Sequence, residues 1–337
     1  MSLRLVLLGL LAPSVYLAYK LDWTEKAMEF FTGPGSYSRI FAVIVLVLNW
    51  KALPLAWTVR IWHSMVLHLL VRPFHTHTPD KLFHPVISES HASIAELDYR
   101  FHKSNSTYLA DVDIARSHLA SHLLARSGHL AWNNAKTRFV MDPSDPSRPA
   151  RGAFNIGLGG VFCSWRREIK PYQSYEMWTR IISWDRKWLY IVTHFVQKGA
   201  VKPRSWDAPE NFGPTRAAGD EPRDWEKKVF ATAVSLYIFK IGRLTVPPAT
   251  MLQGSGLLPE RPGGWAIDGN GSGDVSEDGE VDGTTIGDDP ERGSWQWVEQ
   301  QRRRGLEYAQ HLNAMNSSLH GQFEPGEDGA LGRFALG

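Results

Sequence analysis

Residues 96–128 constrain the fold more than any other part of the chain. Tyr108, Val112, Ala115, Leu119 and Leu123 recur at spacings of three and four, which gives one helix a continuous apolar face. The strongly periodic segments that follow have the other period. Tyr175–Ser183 and Trp188–Val196 are β runs joined by Trp184-Asp-Arg-Lys, a hairpin by length and composition. Phe154–Ile169 alternates more loosely, and Lys228–Gly242 closes the set. A helix that must bury one face, followed by long strands, predicts an α+β layer order with an antiparallel sheet packed on that helix. Val86–Tyr99 reads as the strand that enters the helix, and Arg138-Phe-Val as a short strand after it.

The chemistry is expected at the start of this helix. The polar run Asp98–Ser106 leads into it, Ser104, Asn105 and Ser106 offer N-cap side chains, and Gly128 sits where a glycine would end it. The positive, donor-rich end of the helix then faces Asp98 and His102, a setting for reaction at a carbonyl. Asp98, His102, Asn105 and Tyr108 resemble the Asp-x-x-x-His-x-Asn-Asn-x-x-Tyr signature of hot-dog-fold acyl thioesterases, especially their membrane-anchored thioesterase-like branch. The continuation Leu109-Ala-Asp-Val-Asp-Ile-Ala-Arg116 resembles that branch too. Ser104 stands where the family has the first of two Asn, and Arg100 where plant-type acyl-carrier-protein thioesterases have Asn. The resemblance covers roughly residues 86–250.

The resemblance implies a hot-dog fold, a long central helix wrapped by an antiparallel sheet. It implies hydrolysis of an acyl-CoA or acyl-carrier-protein thioester without a cofactor, by a homodimer with sites at the subunit interface. Relatives that accompany lipopeptide or polyketide assembly lines extend this to lipid or secondary-metabolite biosynthesis. On this reading Asp98 is the base or nucleophile, and His102 orients a water or polarises the carbonyl. Ser104 and Asn105 position the substrate, and Tyr108 lines the acyl channel while belonging to the core. Glu96 is the reserve carboxylate, sharing a strand face with Asp98, whereas Asp111 and Asp113 are structural groups favoured by the helix dipole. Two other readings stay open. One is a catalytically idle, membrane-tethered acyl-binding hot-dog protein, for which Arg100 and Ser104 speak. The other is a hydratase or dehydratase, whose Asp-x-Asn-Pro-x-His pattern has an Asn-Pro that Asp98-Tyr-Arg-Phe-His102 lacks.

The rest of the chain bounds these options. A net charge of +2 over 337 residues gives no reason to expect nucleic acid as a partner. Residues 3–19 are almost wholly apolar, and Ile40–Leu70 is a second apolar segment interrupted at Lys51 and Pro54. The second segment either spans a bilayer or lies in its interface, with Trp50, Trp57 and Trp62 at headgroup depth. Residues 1–72 are therefore expected to anchor the chain in a membrane as helices. Lys51, Arg60 and Arg72 would mark the cytosolic side, placing the catalytic domain on the cytosolic face of an intracellular membrane such as the endoplasmic reticulum. Residues 73–84 read as a linker and 85–250 as the hot-dog domain, with a Pro-rich insertion at 198–224 that is either a surface excursion or a lid. Residues 251–293 read as an acidic, Gly-rich disordered linker, and 294–337 as a tail with a solvated or loosely docked polar helix.

Other chemistries find little purchase. His75 and His77, with His63, His68 and His84 nearby, lack a carboxylate or cysteine at metal-ligand spacing, and Gly269–Asp278 lacks the calcium-loop pattern, so no metal is expected. The single cysteine, Cys163, excludes an internal disulfide and reads as a small buried hydrophobe. No Gly-x-Ser-x-Gly elbow or phosphate-binding loop is present, which argues against a serine hydrolase or a nucleotide cofactor. Asn105-Ser-Thr is an N-glycosylation pattern that a cytosolic catalytic site would leave unmodified.

Overall fold

A computed structural model describes residues 23–71, 77–206, 215, 225–265 and 290–320. In chain order the helices and strands begin with α1 (Trp23–Thr32), α2 (Ser36–Leu48), α3 (Ala56–Val66), β1 (Val86–His91) and α4 (Asn105–Leu123). They continue through α5 (Ala125–Trp132), α6 (Asn134–Thr137), β2 (Met141–Asp142) and β3 (Asp145–Pro149). The four long strands follow: β4 (Phe154–Trp165), β5 (Ser174–Trp184), β6 (Leu189–Gln197) and β7 (Val229–Ile241). After them come β8 (Leu244–Val246), α7 (Pro248–Gly254) and α8 (Trp295–His320). The main sheet is antiparallel in the order β1-β5-β6-β7-β4, with β8 added to β7. It wraps α4, which lies between β1 and β4 in sequence. This is the α+β, hot-dog arrangement.

The apolar stripe legible in the sequence is the buried face of α4. Tyr108, Val112 and Ala115 join Met177, Phe195 and Phe230 in one cluster, while Leu119 and Leu123 join Ile181, Ile191 and Phe239 in another. Each large side chain so buried contributes about 1.5–3 kcal/mol. The helix ends earlier than its expected glycine stop. The chain breaks at Leu124 and resumes as α5, with Gly128 inside that helix donating its N–H to Leu124 O at 2.8 Å. Arg138-Phe-Val is not a strand, because Arg138 takes a left-handed φ of 53° to leave α6. The short β2–β3 hairpin forms instead, within the Pro- and Asp-rich stretch Asp142-Pro-Ser-Asp-Pro-Ser-Arg-Pro, whose composition alone favours turns.

The tail helix is docked along one face of its described part. α8 packs against β5 on the sheet face away from α4. Two of its charged residues are buried in an ion cluster: Glu299 is fully buried and meets the buried Arg302 Nε at 2.7 Å and the exposed Arg303 Nε at 2.8 Å. Arg302 Nη1 also donates to Trp184 O at 3.1 Å, and Ser183 Oγ to Arg302 O at 2.7 Å. Gly305 permits the contact, since a Cβ there would lie 2.1 Å from Ile182 O. Because a helix covers each face, β6 is buried at every position from Leu189 to Thr193. The packed unit also runs past the expected boundary at residue 250. Met251, Leu252, Leu257, Leu258 and Trp265 all lie in the core, as does Leu82 of the expected linker. Most of the 198–224 insertion and residues 266–289 lie outside the described residues.

The second apolar segment does not form one span. α2 stops at Leu48, a tight turn follows at Trp50–Ala52, and Leu55 adopts a left-handed φ of 66° before α3 begins. Among the described residues no single helix is long and apolar enough to cross a membrane; α1 and α2 pass that test only as a pair bent by 102°. Neither helix of the pair has a buried residue. Residues 3–19 lie outside the described residues.

Candidate active site

The segment entering α4 is a loop, since β1 ends at His91, eight residues before the expected Tyr99. A single tight turn, Ile94–Glu96, follows it. Ser93 N–H and Oγ both reach Glu96 Oε2 at 3.0 Å, a capping box closed on itself. Leu97 then pairs with Lys103 across a small hairpin. At its tip Asp98 N–H donates to His102 O at 2.9 Å and Phe101 N–H to Asp98 O at 3.0 Å, with Phe101 at a φ of 58°. Glu96 and Asp98 therefore do not share a strand face: Glu96 is buried and Asp98 is half-buried at the surface.

The hairpin brings Asp98 and His102 together beside the first turn of α4. His102 Nδ1 lies 3.4 Å from Asp98 Oδ2, and His102 Nε2 lies 3.5 Å from Glu168 Oε1. Arg100 N–H donates to Asp98 Oδ1 at 2.9 Å, which orients the carboxylate. Sequence reasoning missed Glu168, because a contact distant in sequence, Lys103 N–H to Ile169 O at 2.9 Å, holds the segment after β4 at this end of the helix. Ser104 occupies the N-cap position, but its hydroxyl meets Ser106 Oγ at 3.1 Å rather than a backbone amide of the helix. Asn105 is exposed at the first helical position. Thr107 N–H is taken up by Ser104 O at 3.0 Å, whereas the N–H groups of Asn105 and Ser106 come before the helix's own ladder and can receive an oxyanion. In the single chain both side chains of the pair are partly exposed, His102 at 15% and Asp98 at 25%. A cavity of about 1040 Å³ lies elsewhere, between α3, α4 and β1, and its lining includes His63, His118 and Met177 but neither Asp98 nor His102.

One expected role narrows, that of Tyr108, and Cys163 keeps its own. Tyr108 is 1% exposed and sits against Phe195 at 5.0 Å between ring centroids, so it is a core residue rather than a channel wall. Burial pushes its phenol above the ordinary range. Cys163 is half-buried, and burial pushes its thiol up to about 11, as suits a packing residue rather than a nucleophile. Among the described residues no group of three or more His, Cys, Asp or Glu is arranged to hold a metal ion.

Beneath the hairpin lies a charged cluster that sequence reasoning did not anticipate. Asp111, expected only to complement a helix dipole, is wholly buried. Lys103 Nζ lies 3.0 Å and Lys51 Nζ 3.1 Å from its Oδ2, Arg60 Nη1 lies 3.2 Å from its Oδ1, and Tyr175 donates its O–H to it. Glu96 joins the cluster through Lys51 at 2.9 Å and Lys103 at 3.1 Å. Burial alone would raise the Asp111 carboxyl; Lys103, Lys51, Arg60 and the Tyr175 hydroxyl hold it well below its ordinary range. Lys51 and Arg60, expected as cytosolic flanking charges, are drawn into this cluster instead. Its one sequence signal was Lys51, a charge in an otherwise apolar run.

The hairpin thus sets a carboxylate–imidazole pair just ahead of the N-terminus of α4, and relatives name the class. The chain is 33% identical over 300 residues to the thioesterase poxG of Penicillium oxalicum, covering 87% of this chain and 89% of that one. It is 33% identical over 316 residues to the probable thioesterase atnL of Emericella nidulans, covering 90% and 91%. The chain belongs to this thioesterase family and is a thioester hydrolase. A 1,4-dihydroxy-2-naphthoyl-CoA thioesterase from Synechocystis is a distant structural relative, with a TM-score of 0.33 at 12% identity, covering 53% of this chain and 99% of that one. No family model matches the chain.

Replacing Asp111 by Asn leaves the buried Lys51 and Lys103 and the partly buried Arg60 with Glu96 alone, and is expected to cost about 3–5 kcal/mol in urea unfolding at neutral pH. Because the fold depresses this carboxyl, its contribution is complete above the unfolded value near pH ~4 and is lost as pH falls below it. The gap between wild type and variant should therefore narrow below that pH. Equal stability at neutral pH would show that Asp111 does not hold the cluster.

Proposed function

We propose that the chain hydrolyses an acyl-CoA or acyl-carrier-protein thioester with Asp98 and His102, at the N-terminus of α4. The observation that carries this reading is His102 held within 3.4 Å of Asp98 and 3.5 Å of Glu168, on a hairpin that runs directly into the helix. Asp98 takes a proton from water as the water oxygen bonds to the thioester carbon. The charge formed on the carbonyl oxygen is met by the first-turn N–H groups of Asn105 and Ser106, a type of contact worth about 3–4 kcal/mol per donor. Collapse then breaks the carbon–sulfur bond, and the departing thiolate takes the proton through His102. Ser104 and Asn105 line the approach to the helix end. Asp98→Asn is expected to lower thiol release from a panel of acyl-CoAs about 100- to 10,000-fold, and His102→Ala to act in the same direction. Full activity in Asp98→Asn would transfer the base role to another group. A folded wild type that binds acyl-CoA yet releases no thiol from CoA or carrier substrates would favour a non-catalytic acyl-binding protein.

The same reading includes a homodimer. β4 is an edge strand of twelve residues whose Ile156, Leu158 and Phe162 are exposed, and it ends beside the Asp98–His102 hairpin. Such an edge, long and apolar, calls for a partner. A second copy pairing along it would cover the partly exposed site. Leu158→Lys with Phe162→Lys should halve the mass measured by light scattering and lower activity at least about tenfold. A fully active monomer would remove the dimer from the reading.

Membrane attachment rests on α1 and α2. Trp23, Phe31, Phe41 and Val47 are each at least half exposed, an apolar surface larger than isolated side chains would explain. The bent pair would lie in the interface, with the thioesterase domain on the cytosolic side of an intracellular membrane such as the endoplasmic reticulum. The full chain is expected to float with liposomes, and Phe41→Asp with Val47→Asp to release most of it. A wild type that stays with the soluble fraction would exclude this attachment.

A further inference from the structure

We propose that Lys51, with Asn49, is a positioning residue of the thioesterase site: the segment before the hot-dog domain holds the catalytic hairpin in place against α4. The inference rests on the Asp98–His102 reading above. Lys51 is 6% exposed, although it sits between two apolar helices. Its ammonium reaches Glu96 Oε2 at 2.9 Å, Asp111 Oδ2 at 3.1 Å, Tyr175 Oη at 3.0 Å and His91 O at 2.7 Å. One side chain thus ties together the end of β1, the base of the hairpin, α4 and β5. Two residues earlier, Asn49 Oδ1 accepts the N–H of Ala95 at 2.8 Å, beside Glu96.

These contacts converge on the two ends of the hairpin. Glu96 precedes it, Lys103 closes it, and the Lys103–Glu96 ion pair at 3.1 Å clasps the base. Ser104 N–H adds a bond to Glu96 O at 2.8 Å. Asp98 lies two residues from Glu96, and His102 is adjacent to Lys103. A displacement of about 1 Å in a reacting group can cost on the order of 100-fold in rate, so a clasp at the hairpin base bears directly on turnover. Lys51 completes the clasp from outside the hot-dog domain. The segment that leads from α2 into α3 is therefore part of the working site rather than only a tether, and a fragment starting at Leu82 lacks both anchors.

The charges make the test practicable. Lys51, Lys103 and Arg60 face Glu96 and Asp111, so Lys51→Met leaves two cations with two anions and no unbalanced buried charge. The experiment uses the full chain in detergent and compares wild type, Lys51→Met, Asn49→Ala and Asp98→Asn. It measures kcat and KM for acyl-CoA hydrolysis, thermal melting, and amide hydrogen exchange. A positioning role predicts that kcat falls about 10- to 100-fold in folded Lys51→Met while KM stays within about threefold. Exchange at the Asp98, Phe101 and Ser104 amides should accelerate while amides of β6 and β7 remain protected. Asn49→Ala removes one anchor without touching the buried charges, should move the same readouts about three- to tenfold, and carries the test if Lys51→Met does not fold. Wild-type kcat in the folded variants, or a loss that only tracks the unfolded fraction, would overturn the proposal. An inactive Asp98→Asn beside a fully active Lys51→Met would reject the positioning role alone. An active Asp98→Asn beside a slow Lys51→Met with loosened hairpin amides would reject Asp98 as base and leave the positioning role standing.

Discussion

Asp111 carries a full charge with no access to water, and much of the architecture is what that charge requires. A lone buried carboxylate is too costly to keep ionised, so the fold surrounds it with Lys51, Lys103, Arg60 and the Tyr175 hydroxyl. These groups come from four separate stretches of chain. Satisfying one carboxylate therefore fixes where α3 lies on α4, how the loop after β1 turns, and how β5 passes beneath them. Burial pulls the Lys51 ammonium down from its ordinary range while Asp111 opposes the pull, so each ion depends on the other. The loop with Asp98 and His102 is held from below by the same set.

A second buried carboxylate organises the opposite side of the sheet. Glu299 is enclosed by Arg302, Arg303 and Arg261, and this lets a helix of mostly polar composition seal an apolar face. Burial would raise the Glu299 carboxyl, but hydrogen bonds and charge from Arg302 and Arg303 draw it below its usual range. The sheet is thus covered twice, by α4 within and α8 without. That leaves β4 as its long exposed edge, next to the hairpin that carries Asp98 and His102.

The two clusters also mark the limit of pattern reading. The apolar stripe of α4, the β5–β6 hairpin and β7 were legible because each obeys a single local period. The positions of Asp98 and His102 at the head of the helix were legible for the same reason: capping residues and a short spacing are local facts. Glu168 was not, since it reaches His102 through a contact distant in sequence, where Ile169 O accepts the Lys103 N–H at 2.9 Å. Tyr108 was assigned to both channel and core, and only its packing against Phe195 decided for the core.

Taken alone, then, the chain's periodicity determined one buried helix and an antiparallel sheet packed on it, while the polar run before the helix and the spacing of Asp98, His102, Asn105 and Tyr108 pointed to the helix head. Tertiary structure decided the fate of the isolated charges. Lys51 and Arg60 in an apolar segment read as membrane-flanking residues, and Glu299 and Arg302 in a polar helix read as a solvated surface. Burial of a charge depends on which distant residues arrive to compensate it. No local pattern records that, because hydrophobic periodicity is a property of neighbours along the chain, whereas ionic compensation is a property of neighbours in space.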